Sequence, residues 1–222
     1  MTETIIEKKN VSASVSWVDR VMKRYKETGR FIPEKQEKLY RAVSLEFAGG
    51  KTILDVGSSL GIGSNILAHE ARFVWGIDIN AEAIDFATKL FKRPNLDFEV
   101  IDIENPPTRE LAQFEIITMI EVLEHVEQPE TALNNLKRFF AGGTIGFITC
   151  PNIANPEVVE NEQKHNFHLS HLNAGQFYEL MIKHFNAVTM YSVDKLSSWG
   201  QEETIDGAST DYLICAKVEG IK

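Results

Sequence analysis

From residue 52 onward the chain alternates short β-type runs with amphipathic helical runs, and few folds accept that order. Apolar stretches read as strands at 52–56, 73–78, 97–101, 114–120 and 144–150. Between them fall a glycine loop with its helix, helical periods at 82–91 and 131–140, and a short polar helical turn after 120. Such alternation builds a parallel sheet with helices on both faces, because a parallel crossover needs about a dozen residues and a helix spans them compactly. The tail breaks the pattern. A helix at 177–185 is followed by strands at 187–192 and 212–218, joined by a polar loop with no helical period, which predicts an antiparallel hairpin at one sheet edge. The expectation is an α/β three-layer sandwich whose seven-stranded, mostly parallel sheet is Rossmann-like.

Two helices precede the sheet. Ser16 can cap the first, whose residues Trp17, Val18, Val21, Met22 and Tyr25 share an apolar face opposite Arg20, Lys23, Arg24 and Lys26; Gly29 ends it. Pro33 opens the second, with Leu39, Tyr40, Val43 and Phe47 as its buried side, and Gly49-Gly50 breaks it. This divides the chain into an N-terminal helical extension over 1–50 and a ligand-binding domain over 51–222.

The first strand runs through Asp55 into Gly57-Ser58-Ser59-Leu60-Gly61-Ile62-Gly63. Glycines at a strand-to-helix turn let the backbone approach a ligand closely. Their spacing at 57, 61 and 63 differs from the dinucleotide fingerprint, and no Lys-Ser or Lys-Thr pair follows to make a phosphate loop. A carboxylate before the turn suits an ammonium group better than a phosphate. The second strand ends at Asp78, where a carboxylate can take both hydroxyls of a ribose. The third ends at Asp102, suited to an exocyclic amine. An ammonium, a ribose diol and an aminopurine lie along one molecule, S-adenosylmethionine.

In these residues the stretch 51–218 resembles the class I S-adenosylmethionine-dependent methyltransferases. The resemblance implies that Asp55 and Gly57 line the methionine end, that Asp78 holds the ribose, and that Asp102 with the Ile103 amide reads the adenine. It extends the cofactor set to Ser58, Ser59, Gly61, Ile79 and Ile120, with S-adenosylhomocysteine as product. The family usually has glycine where Ser59 stands, so a negative φ or a looser turn is expected there.

Glu121, Glu124 and His125 follow the fourth strand at spacing i, i+3 and i+4, which a helical turn would bring to one face. Two carboxylates and an imidazole suit a proton relay or a divalent metal. The block Glu121–Val126 resembles ubiquinone-pathway O-methyltransferases, and also small-RNA 3′-terminal 2′-O-methyltransferases. In the latter, the resemblance implies a metal on Glu121, Glu124, His125 and a later histidine, for which His168 is the candidate. The reading adopted is metal-free: His168 and His125 are the candidate bases and Glu124 the orienting group. Residues 28–34 and 166–177 resemble methyltransferases of surface-glycan biosynthesis. A polar lid loop is expected at 155–166. His165 and His171 are read as solvated or loop-bonded, and His69 and His184 are given no role.

Composition narrows the acceptor. The 222 residues carry 23 Lys and Arg against 32 Asp and Glu, a net charge of -9 that disfavours broad nucleic-acid binding. The expected acceptor is a small molecule or sugar. The alternatives are a metal-dependent RNA ribose methyltransferase and a non-catalytic module with a decayed cofactor site. No apolar run of about 18 residues exists, and residues 1–10 lack a signal core, so neither a membrane span nor secretion is expected. Cys150 and Cys215 both lie in strand-type stretches, and two reduced structural thiols point to the cytoplasm. Oligomeric state is not legible.

Overall fold

The computed structural model describes residues 17–108, 112–165, 168–195 and 204–222; at 17, 20 and 162–165 it describes the backbone alone. The Ser16 cap, the first ten residues, and the side chains of Trp17, Arg20 and His165 therefore lie outside the described residues. Helices α1 (Trp17–Thr28) and α2 (Glu34–Phe47) lead into β1 (Thr52–Val56), α3 (Ile62–Leu67), β2 (Phe73–Asp78), α4 (Ala81–Leu90) and β3 (Leu96–Val100). There follow β4 (Phe114–Met119), α5 (Pro129–Leu136), β5 (Phe140–Pro151), α6 (Pro156–His165), α7 (Ala174–His184), β6 (Phe185–Ser192) and β7 (Leu213–Ile221).

One sheet of seven strands runs in the order β3-β2-β1-β4-β5-β7-β6. The first five strands pair in parallel, and β7 is antiparallel to both β5 and β6. The edge hairpin is thus present, with β7 on its inner side. The chain leaves β1 toward β2 and later returns to β4 on the other side, so the order reverses between β1 and β4. Crevices at such a reversal, beyond the carboxyl ends of the strands, are where open α/β sheets bind ligands.

Alternation along each strand sorts the core into two faces. Leu54, Val56, Ile77 and Met119 pack with Leu133, Leu136, Phe177 and Met181 of α5 and α7. Ile53, Val74, Ile116 and Phe147 pack with Leu39, Tyr40 and Val43 of α2 and Leu67 of α3. Helix α2 therefore shares the core of the sheet. Val21 of α1 packs on Leu60 of the glycine loop and Ala83 of α4, roofing that loop. Gly29 closes α1 with φ 72, its N–H donating to the Tyr25 carbonyl at 2.8 Å.

The polar loop expected at 155–166 is instead helix α6. Asn155 Oδ1 accepts the Glu157 N–H at 2.9 Å, Pro156 opens the helix, and Val158 is buried beneath it. Asn followed by Pro is a helix-start pair, so local capping outweighed the polar composition. The fifth strand is also longer than expected and begins at Phe140, with a register shift between Phe114 and Ile116 of its partner. Both cysteines are buried and free, Cys150 with one core face and Cys215 with the other. No helix among the described residues is long and apolar enough to cross a membrane.

Candidate cofactor and acceptor site

The glycine loop is built from left-handed residues. Gly57 has φ 72 and Gly61 φ 77. A methyl at Gly57 would collide with the Val122 side chain, and one at Gly61 with Phe98 and Ala87, so both positions require glycine for space as well as for φ. The Gly57 and Ser58 amides donate to the Ile77 carbonyl at 2.7 and 3.0 Å, which ties the loop to the end of β2.

Ser59 corrects the sequence expectation. It adopts φ 50, the left-handed geometry of the usual glycine, and not a negative φ. Its N–H donates to Asp78 Oδ2 at 2.8 Å, a charge-assisted bond that holds the strained residue in place. Asp78 Oδ1 accepts the Asn80 N–H at 2.8 Å. Asp78 thus fixes both the glycine loop and the start of α4. Burial raises its pKa, while the Asn80, Ser59 and Ile79 amides pull it back. Ser59→Gly should leave the loop geometry intact and relieve up to about 1 kcal/mol of left-handed strain. For a chain of this size the melting temperature should be unchanged or up to about 3 °C higher. A lower melting temperature, or lost binding of S-adenosylhomocysteine, would show that the serine side chain itself is required.

Asp55 is wholly buried. Its Oδ1 accepts from Tyr40 Oη at 3.0 Å and Thr118 Oγ1 at 2.7 Å, and its Oδ2 accepts from Ser64 Oγ at 2.6 Å. Burial pushes its pKa up to about 6, partly offset by those hydroxyls. Tyr40 is raised well above its ordinary value by burial and then by Asp55, with Asp78 and Glu121 adding to it. Three carboxylates from the ends of β1, β2 and β4 therefore act on one phenol. Asp55 has no exposed surface, so a ligand could feel it only through its field. At the third strand end, Asp102 accepts from the Glu104 N–H at 2.9 Å and Asn105 Nδ2 at 3.1 Å, forming a tight turn. Asn135 of α5 donates to the Ile103 carbonyl at 3.0 Å and holds that turn against the sheet. Ile120 is buried with the second core face, and Ile79 is half-buried.

The turn after β4 also differs from expectation. Only Leu123–His125 is helical, as a single 3-10 turn, and Glu121 stands before it with φ 55. The left-handed exit from β4 rotates Glu121 off the face of Glu124 and His125. Thr149 Oγ1 accepts the Glu121 N–H at 2.8 Å and lies 3.3 Å from its Oε1. The side chains that converge are Glu124, His125 and His168, with ligand-type atoms within 4.8 Å of one another; Glu121 is not among them. The His125 and His168 rings meet edge to face at 4.8 Å, and His171 lies 6.5 Å from His168. Backbone bonds fix this meeting. The Leu169 and Ser170 amides donate to the Glu124 carbonyl at 2.7 and 3.2 Å, and Ser170 Oγ donates to the Leu123 carbonyl at 3.0 Å. Glu124 is buried, and His125 Nε2 stands 4.0 Å from its Oε1. Two further histidines are engaged elsewhere: His184 Nε2 with Glu130 at 2.9 Å and His69 with Arg93 at 2.8 Å.

Sequence reasoning missed four hydroxyl residues. Tyr40 and Ser64 hold Asp55 without any local signal. Thr118 and Thr149 interrupt apolar strands, and a polar residue there was the available cue.

Comparison with known proteins agrees with this geometry. Residues 54–148 match the family model described as methyltransferase domain. A ubiquinone biosynthesis O-methyltransferase of Paraburkholderia phytofirmans is 36% identical over 103 residues, 45% of this chain and 44% of that protein. The match thus spans about half the length of the curated relative. A possible histamine N-methyltransferase from Thermotoga maritima superimposes with TM-score 0.63 at 16% identity, covering 90% of this chain and 98% of its own. A TehB-like methyltransferase from Corynebacterium glutamicum gives 0.62 at 18%, covering 90% and 95%. The fold is that of the class I S-adenosylmethionine-dependent methyltransferases. The glycine loop follows β1 beside the reversal of strand order between β1 and β4, and Asp78 and Asp102 follow at the carboxyl ends of β2 and β3.

The residues fit the cofactor. The acid set suits a ligand with a cationic end and a diol. Ser58 Oγ is buried and makes no hydrogen bond among the described residues, so a polar partner is wanted inside the loop.

Proposed function

We propose that this chain transfers a methyl group from S-adenosylmethionine to a hydroxyl of a small molecule, releasing S-adenosylhomocysteine. The observation that carries the reading is the left-handed glycine loop after β1, tied by the Ser59 N–H to Asp78 at the end of β2, beside the reversal of strand order between β1 and β4. When bound, the cofactor supplies a methyl group on a positively charged sulfur, so the difficult bond-breaking is activated by the cofactor itself.

The protein's part is to bind, align and take a proton. Asp78 accepts the ribose hydroxyls while still holding the Ser59 and Asn80 amides. The turn at Asp102 and Ile103 receives the adenine. The negative field of Asp55 and Glu121 favours the cationic methionine end. His168 removes the acceptor's proton as its oxygen attacks, with His125 against its ring and Glu124 orienting the pair. This is read as a metal-free base; Glu124, His125 and His168 are also a set that could hold a metal ion, and turnover in chelator decides between the two. The O-methyltransferase name of the curated relatives supports an oxygen acceptor on a small molecule, and the net charge of -9 disfavours RNA. The buried free thiols support a reducing compartment such as the cytoplasm.

The test has two steps. Calorimetry should give saturable binding of S-adenosylhomocysteine, and a labelled-methyl screen should favour phenols or sugar derivatives over small RNAs, with and without chelator. Absence of cofactor binding would overturn the reading outright. Transfer to RNA alone would replace the acceptor class.

A further inference from the structure

The three hydroxyls on Asp55 come from three elements: Tyr40 from α2, Ser64 from α3 and Thr118 from β4. Tyr40 is the one that lies outside residues 54–148, the stretch matched to the methyltransferase family. Its position is closely fixed. Leu39 and Val43 on either side are wholly buried, and its ring stands against Gly63, where a methyl would collide with the ring carbons. Helix α2 thereby delivers one polar atom, the Tyr40 hydroxyl, to a carboxylate at the heart of the site. The other charges acting there are Asp78 on Asp55, and Asp78 with Glu121 on Tyr40. Asp78 is negative and opposes a charged Asp55, so the hydroxyl donors are what favour its ionised form.

We propose that Tyr40 is a positioning residue for the cofactor, its hydroxyl keeping Asp55 ionised and so setting the pH range over which the methionine end is held. The inference rests on the cofactor reading given above. With Asp55 titrating at about 6, affinity for S-adenosylhomocysteine rises with pH through that value and then levels off. Removing a donor raises the Asp55 pKa further and moves the binding curve to higher pH by about one unit. Tyr40→Phe keeps the ring on Gly63 and deletes the hydroxyl. It should weaken binding about threefold at pH 6.5, about eightfold at pH 5.5, and by less than about twofold at pH 8.5. A packing defect alone would weaken it equally at every pH.

The unliganded protein gives an independent readout. The folded pKa of Asp55 lies above its unfolded value, so this group's contribution to stability is greatest in acid. It falls as pH rises from about 4 to about 6 and is flat beyond. In Tyr40→Phe the fall continues to higher pH, so the deficit in melting temperature against wild type should grow between pH 5 and pH 7.

The experiment is calorimetric titration of S-adenosylhomocysteine from pH 5.5 to 8.5 on the full chain, with melting curves over the same range. The proteins are wild type, Tyr40→Phe and Thr118→Val, which removes the other donor to the same oxygen without touching α2. Both variants should shift the binding curve upward in pH. Parallel curves for wild type and Tyr40→Phe would overturn the inference and leave the cofactor reading standing. A wild type that binds no S-adenosylhomocysteine at any pH would overturn that reading and the inference with it.

Discussion

Replacing His168 by alanine should lower turnover by roughly 10²–10⁴, the usual cost of losing a general base, with little change in affinity for S-adenosylhomocysteine. The size follows from the division of labour at the site. The cofactor residues sit at the ends of β1, β2 and β3, whereas His168 is held on the turn after β4 by the Leu169 and Ser170 amides. Those bonds use backbone atoms, so the alanine variant keeps its turn and its cofactor cleft. His168 is half-buried in a loop and not part of the core, so the melting temperature should move by no more than about 2 °C. Chelator should leave wild-type turnover intact, and added Mg²⁺ or Mn²⁺ should not rescue the variant. Rescue by metal would assign Glu124, His125 and His168 to an ion instead, and unchanged turnover would remove His168 from the mechanism.

The sheet, its hairpin and the three acidic strand ends were legible because they depend on local pattern: period-two strands, helical periods between them, and an aspartate at each strand's carboxyl end. Ser59 and Glu121 were misread for a common reason. Both are non-glycine residues at positive φ, a backbone state that side-chain type argues against. What holds them is tertiary, the Asp78 carboxylate for Ser59 and the Thr149 hydroxyl for Glu121. Neither partner is within reach along the chain. The i, i+3, i+4 spacing at 121–125 promised a shared face, but the strand's exit turned Glu121 away before any helix began. Strain of this kind gathers at functional sites, where surrounding bonds over-determine the backbone. Tyr40 shows the same limit from the other side. Its apolar ring placed it correctly in the core, while its one polar atom met a carboxylate 15 residues on that no periodicity could pair with it.

Replacing Asp78 by alanine should cost roughly 10²–10⁴ in affinity for S-adenosylhomocysteine. Two charge-assisted hydrogen bonds to the ribose diol are each worth roughly 1.5–3 kcal/mol, and about 1.4 kcal/mol is a factor of ten. The same carboxylate also restrains the protein. It accepts the Ser59 N–H at 2.8 Å and the Asn80 N–H at 2.8 Å, so its loss frees a left-handed serine and the start of α4 together. Asp78→Ala should therefore also lower the melting temperature, by about 3–12 °C for a loss of one or two such bonds at about 1.5 kcal/mol each. A double variant separates the two effects. Adding Ser59→Gly removes the strain that Asp78 was holding, and should restore part of the lost stability. It should restore little of the lost affinity, because glycine supplies no acceptor for the diol. Asp78→Asn, which keeps one acceptor oxygen but no charge, should fall between wild type and alanine. An Asp78→Ala protein that binds S-adenosylhomocysteine within threefold of wild type would show that the ribose is held elsewhere. The carboxylate at the end of β2 would then be left with the loop alone.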